Sequence, residues 1–274
     1  MHNKLLKNPQ AIVGLVLIIL VILTAVAAPA IAPNDPELID PACKYLPADE
    51  NFPLGTDQLG RCVFSRLLYG ARYSVIISIP TLLILSVIGL LIGTVSVCAG
   101  KKVDYVINLI CDIFIAFPAL IIAIAVIGVL GKGIENIALS VLIATWAWFV
   151  RVVRSYALTE MSRDYILAAR ISGSSTLKIV FQHLLPNIIP QFLVYVSTSV
   201  ASAIIMVSSF AFLGLGLPAG TPEWGAMLND ARTCLYSHPE LLVYPGLCIL
   251  LTSAGFNLFG EALRDHLTPE ETSL

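Results

Sequence analysis

The side chains able to do chemistry in this 274-residue chain are few and scattered. Zinc or an iron–sulfur cluster needs thiols and imidazoles at close, regular spacing. The six cysteines, Cys43, Cys62, Cys98, Cys111, Cys234 and Cys248, form no CxxC pair, and His2, His183, His238 and His266 stand far apart. No metal site is expected, and the three thiols outside the spans, Cys43, Cys62 and Cys234, allow at most one bridge, with Cys43 to Cys62 possible. A phosphate-binding loop needs GxxxxGK[ST]; the nearest approach, GVLGKG at residues 128–133, lacks the first glycine and the final hydroxyl. HExxH is also missing, so no catalytic residue is expected. Three polar features remain. DYILAARISGSSTLKIVFQHLLPN, residues 164–187, is polar between apolar flanks. Thr198, Ser202, Met206 and Ser209, separated by 4, 4 and 3 positions, share one helical face, which suits close helix packing or the lining of a polar path. Asp112 is a lone acid in an apolar run, and an acid there is a candidate for function, against the alternatives that it faces the cytoplasmic end of the span or pairs with a neighbouring subunit.

The stretch 164–187 has the signals of two short helices and a corner. Ser162 is a candidate N-cap, and Asp164 suits the positive end of the first helix. Gly173 is a good residue to follow the last helical turn. Ser174, Ser175 and Thr176 can cap the second helix, LKIVFQHLL, which Pro186 is expected to end. Leu167, Ala168 and Ile171 share an apolar side, and an isolated two-turn helix is marginal in water. That side therefore needs cover, from the chain's own bundle or from the groove of another protein.

The elements around these features are read from hydrocarbon. Hydrophobic residues make up 57 % of the chain and charged ones 12 %, the balance of an integral membrane protein. A bilayer core of about 30 Å takes about 20 apolar residues in a helix. Residues 11–32, 73–100, 105–131, 134–150, 188–222 and 241–260 meet or approach that length, which predicts six transmembrane helices in an all-α fold. The first run, 22 residues long, exceeds a signal-peptide core and reads as a retained anchor. Leu59, Val63, Leu67 and Leu68 recur at helical spacing, predicting a short amphipathic helix on the membrane surface ahead of the second span. The expected organisation is an anchor, external loop and amphipathic helix over 1–72, a core over 73–262, and a charged tail over 263–274.

Basic residues set the orientation. With the N-terminus inside, ten of the sixteen lie on the cytoplasmic side: Lys4, Lys7, Lys101, Lys102, Arg151, Arg154, Arg163, Arg170, Lys178 and Arg264. Both termini and the 164–187 hairpin are then cytoplasmic. Arg61, Arg66 and Arg72 fall outside and go against the trend. The net charge of −2 gives no reason to expect nucleic acid as a partner.

Ala168-Ala169, Gly173 and Leu185-Pro186 have the spacing of the signature loop of ABC importer permeases, with Leu167 in place of its glutamate and His183 in place of its isoleucine. LGTDQLGRCVFSRLLYGAR, SFAFLGLGLP, PEWGAMLNDAR and FNLFGEALRDHLTP resemble the dipeptide, oligopeptide and nickel branch, except that Cys62 replaces the aspartate usual after LGR. The resemblance covers nearly the whole chain. It implies a type I importer permease fold in a bacterial plasma (inner) membrane. It further implies a second homologous permease subunit, two ATP-binding subunits that use ATP and magnesium, and an external substrate-binding protein, with membrane lipid around the bundle and no cofactor on this chain. Asp164, Leu167, Ala168, Ala169, Arg170, Gly173, Leu185 and Pro186 would then couple ATP hydrolysis to the spans. Thr198, Ser202, Met206, Ser209 and Asp112 are the candidates for the path. WAWFVRVVRS, WGAMLNDAR and LRDHLTP are closer to nickel permeases, which implies nickel or a related divalent metal carried as a chelate, with di- or oligopeptides as the alternative.

Overall fold

The structure is a computed structural model that describes residues 8–215 and 217–267; Lys4, Lys7, His2 and the end of the charged tail lie outside the described residues. Helices α1 (Pro9–Ile31), α2 (Val63–Cys98), α5 (Ile134–Met161), α8 (Leu185–Phe212) and α10 (Glu240–Leu267) are each long and apolar enough to cross a membrane. A bent pair, α3 (Lys101–Ile115) and α4 (Ala119–Leu130), makes the sixth span if counted together. Among the described residues there is no named β-strand.

Three differences from expectation have local causes. The third span is not one rod but turns by 83° between its halves. Pro118 sits at the break, and a proline keeps the residue before it out of the helical region. The fourth span does not stop at residue 150 but runs on to Met161. Its extension is held by ion pairs: Arg154 grips Asp104 of α3 at 2.6 and 2.7 Å, and Arg151 pairs with Asp112. The third difference is the surface helix expected around residues 59–68. There α2 begins at Val63 and continues without interruption into the membrane, across the 72/73 division.

Arg61 and Arg66 are 1 % exposed, not spread on a surface. Arg61 bonds to Asp57 at 2.6 Å and to Asp230 at 2.7 Å, while Arg66 donates to the Pro36 and Gly220 carbonyls at 3.0 and 2.9 Å. Two guanidiniums thus sit between two carboxylates, which explains how cations occur on the side where basic residues are fewer. Asp230 lies on α9 (Trp224–Ala231), the short helix between the last two long ones. Trp224 is buried beside Gly70 and donates its indole N–H to Leu67 O at 3.1 Å, so α9 is fastened to the start of α2 a second time.

Close helix approach relies on missing side chains. A Cβ at Gly89 would stand 2.9 Å from Phe149 and one at Gly93 2.8 Å from Val153, so a GxxxG ridge seats α2 against α5. All six cysteines are free. The Cys43 thiol donates to Asp40 at 3.1 Å and Cys62 is buried at the start of α2, so the possible Cys43–Cys62 bridge does not form.

Glu223, fully buried at the head of α9, accepts from Ser208 Oγ at 2.8 Å and from the Ala226 N–H at 2.9 Å. Burial raises its carboxyl above the ordinary range despite those bonds. The folded state therefore holds the proton more tightly than the unfolded chain. Stability falls as pH rises past the unfolded value of about 4.3 and levels off above the folded value. Glu223→Gln keeps an acceptor for Ala226 and removes the titration, so its unfolding temperature in detergent is expected to lose this acid-side dependence. A wild-type midpoint that climbs over that window relative to the variant would contradict it.

Candidate functional site

The hairpin forms at the end of α5 from α6 (Asp164–Ile171), α7 (Thr176–Ile179), and a π-helical turn, Val180–Leu184, that leads into α8. Its first cap differs from expectation. Ser162 closes α5 instead, Arg163 precedes α6, and neither side chain caps the new helix. The corner forms as its residues suggest. Gly173 has φ +79°, its N–H bonds to Arg170 O at 3.0 Å, and Ser174 N–H reaches Ala169 O at 3.0 Å, which is a Schellman closure. A Cβ at Gly173 would meet nothing within 4 Å, so its backbone angle, not crowding, asks for glycine. Ser175 caps α7 by accepting from Lys178 N–H.

Pro186 was expected to end the second helix and instead lies in the first turn of α8. The wide turn before it lets the chain run from Thr176 to Phe212 as a single candidate span, so there is no break at the proline.

Ile166 is fully buried and anchors α6 to the bundle, a contact that stabilises by about 2 kcal/mol. Tyr165 adds a polar tie: it bonds to Glu160 of α5 and accepts from Asn187 of α8. The other side of α6 has no cover, with Leu167 58 % and Ile171 79 % exposed. Leu177 and Phe181 extend this uncovered apolar surface. Asp164, Ala168, Arg170, Gly173 and Pro186 are exposed as well, while Ala169 and Leu185 are half-buried.

A cavity of about 460 Å³ opens at mid-depth in the bundle, with walls from α2, α4, α5, α8 and α10. Thr198, Ser202 and Met206 line it together with Thr145, Trp148 and Asn257. None of its lining residues is charged. Ser209 is not among them; it lies one turn further on, with its hydroxyl bonded to Ile205 O at 2.7 Å. Asp112 is also away from the cavity, neutralised by Arg151 within the same chain. Among the described residues, no group of three His, Cys, Asp or Glu side chains gathers in one place.

Sequence reading missed Ile166, Tyr165 and Asn187 as the supports of the hairpin, and Trp148 and Asn257 as cavity residues. Asn257 had a signal, since it is the amide in an otherwise apolar or small-residue stretch of the last span.

An all-helical, multi-pass bundle with an uncharged cavity at mid-depth and a projecting helix pair defines a membrane permease. The chain belongs to the family of inner membrane components of binding-protein-dependent transport systems, whose model matches residues 85–272. The model for the N-terminal transmembrane domain of oligopeptide transport permease C matches residues 1–48. It is an ABC importer permease of the dipeptide, oligopeptide and nickel branch. The nickel transport system permease protein NikC of Escherichia coli is 37 % identical over 256 residues, covering 93 % of this chain and 92 % of that protein. The di/tripeptide transport system permease protein DppC of Pseudomonas aeruginosa is 36 % identical, covering 98 % and 89 %. The metal-staphylopine import system permease protein CntC of Staphylococcus aureus is 35 % identical, covering 99 % and 94 %.

Proposed function

We propose that this chain forms half of the translocation path of an ATP-driven importer for nickel or a related divalent metal, carried as a chelate. The observation that carries the reading is the uncovered apolar side of α6, Leu167 and Ile171, on a helix held to the bundle by Ile166 and Tyr165. Such a face fits the groove of an ATP-binding subunit. Asp164 and Arg170 at its rim supply charges for that contact, and the small Ala168 and Ala169 let the helix sit close to the groove wall. Two ATP-binding subunits would use ATP and magnesium. A second homologous permease subunit completes the path, and an external binding protein delivers cargo. The protein would reside in a bacterial inner membrane with the hairpin and both termini in the cytoplasm, an arrangement supported by Lys101, Lys102, Arg163, Arg170 and Lys178 on the hairpin side.

The second reading is a permease for di- or oligopeptides, favoured by a DppC relative almost as similar as NikC. Competitive uptake separates the two. Radioactive nickel accumulation is expected to require this chain and to resist excess dipeptide. Nickel uptake that continues without the chain, or that dipeptide abolishes, would move the assignment to peptides.

A further inference from the structure

The cavity wall contains more polar side chains than it has open hydrogen-bonding capacity. Thr145 donates to Val141 O at 2.7 Å, Thr198 to Tyr195 O at 3.0 Å, and Ser199 to the same carbonyl at 2.7 Å. Those three hydroxyls are committed to their own helices. Ser202 and Asn257 line the same cavity, are exposed to it, and have no hydrogen-bond partner among the described residues.

Their depths coincide. Helix α8 runs away from the hairpin and α10 runs back towards it, and the two cross where a Cβ at Gly260 would lie 2.6 Å from Thr198 Cγ2. Ser202 is four residues beyond that crossing on α8, and Asn257 is three residues before it on α10. At 1.5 Å per residue both stand roughly 5 Å from the crossing, in the same direction. An amide and a hydroxyl from opposing helices therefore reach one level of the path.

We propose that Ser202 and Asn257 form a paired station that hydrogen-bonds the cargo in transit and admits amino-carboxylate groups in preference to a bare metal ion. The inference rests on reading this chain as half of a translocation path. An amide offers two donors and an acceptor, and a hydroxyl one donor and two lone pairs, so the pair can meet both the carboxylate and the amine of one molecule. A naked divalent cation gains nothing comparable. It holds its water strongly, and the cavity offers neither carboxylate nor imidazole to replace it, only neutral hydroxyl and amide oxygens and the Met206 thioether. Amino-carboxylate groups occur both in a short peptide and in the organic shell of a metal chelate, so the station serves either cargo and excludes the unchelated ion.

The test uses the complete importer, this chain with its permease partner, ATP-binding subunits and binding protein, in proteoliposomes. Three probes are supplied separately: nickel bis-glycinate, alanyl-alanine, and nickel as the aqua ion. The wild type is expected to take up one or both organic probes and to leave the aqua ion outside. Ser202→Ala/Asn257→Leu is expected to lower that uptake by about tenfold, because a site built to hydrogen-bond its substrate loses those bonds. Hydrolysis of ATP stimulated by the binding protein should persist. Asn257→Asp preserves volume and adds a charge, and it is expected to raise aqua-nickel uptake relative to the organic probe. Uptake unchanged in the double variant, an unaltered ratio in Asn257→Asp, or wild-type preference for the aqua ion would each overturn the station. If the wild type carries none of the probes in an ATP-dependent way, the proposed cargo reading fails, and the station with it. Uptake of the dipeptide alone or of the chelate alone identifies the source of the amino-carboxylate.

Discussion

A Leu167→Asp/Ile171→Asp double variant is expected to insert and accumulate normally yet lose ATP-dependent uptake by on the order of 100-fold, the effect of removing two central apolar anchors from an interface. The expectation follows from where these side chains are. Both are more than half exposed, so exchanging them removes little of the chain's own packing. The helix keeps Ile166, its buried anchor, and Tyr165, its hydrogen-bonded tie. Copurification of ATP-binding subunits in detergent should fall together with uptake, while thermal stability holds. Gly173→Val probes the same surface by another route. With open space around the position, the cost arises only from the left-handed backbone angle, about 1–2 kcal/mol, and falls on the corner rather than the bundle. It is expected to leave ATP hydrolysis running while uptake drops. Normal uptake in both variants would end the assignment of the hairpin as the docking contact.

The second large effect is expected on stability. Arg61→Met should cost about 3–5 kcal/mol, because it removes one member of a buried charge cluster and leaves carboxylates facing it. Asp57, 9 % exposed at its side chain, would keep its two backbone N–H donors but only Arg66, at 3.8 Å, as a charge partner, and Asp230 the same guanidinium at 3.7 Å. An unfolding midpoint lower by on the order of 10 °C in detergent is the expected reading. Asp57→Asn/Arg61→Met together should recover part of the loss, since exchanging both partners of a buried pair costs less than orphaning one. A single variant as stable as the wild type would show that the cluster does not hold α9 to α2.

Hydrocarbon runs and glycine stops made most of the architecture readable, because bilayer thickness and left-handed backbone angles are demands that single residues answer. Gly173 is such a case, and so is the apolar run of α1. What stayed hidden depended on distant partners. Arg61 reads as a misplaced cation until Asp230 arrives from 169 positions away. Ser162 and Pro186 carry cap and stop signals that lose to context, since α5 uses Ser162 for its own end and a wide turn absorbs the proline. Periodicity grouped Thr198, Ser202, Met206 and Ser209, yet the cavity closes before Ser209, where no spacing rule could say the wall ends. Asn257 was visible as a letter, but its meaning came only from standing level with Ser202.

Helix α2 has a mechanical property that follows from its length. Its 36 residues make a strut of about 54 Å, far longer than the bilayer core is thick. It is clamped at one end through Arg66 and at the other through Ser96, whose hydroxyl donates to the Asp104 held by Arg154. Pro80 lies near its middle, the point where a helix lacks an N–H and yields first. A strut gripped at both ends with a proline at its centre has its weakest point midway between the clamps. Each clamp stands roughly 20–25 Å from Pro80, so a bend of about 5° there would shift one clamp relative to the other by about 2 Å.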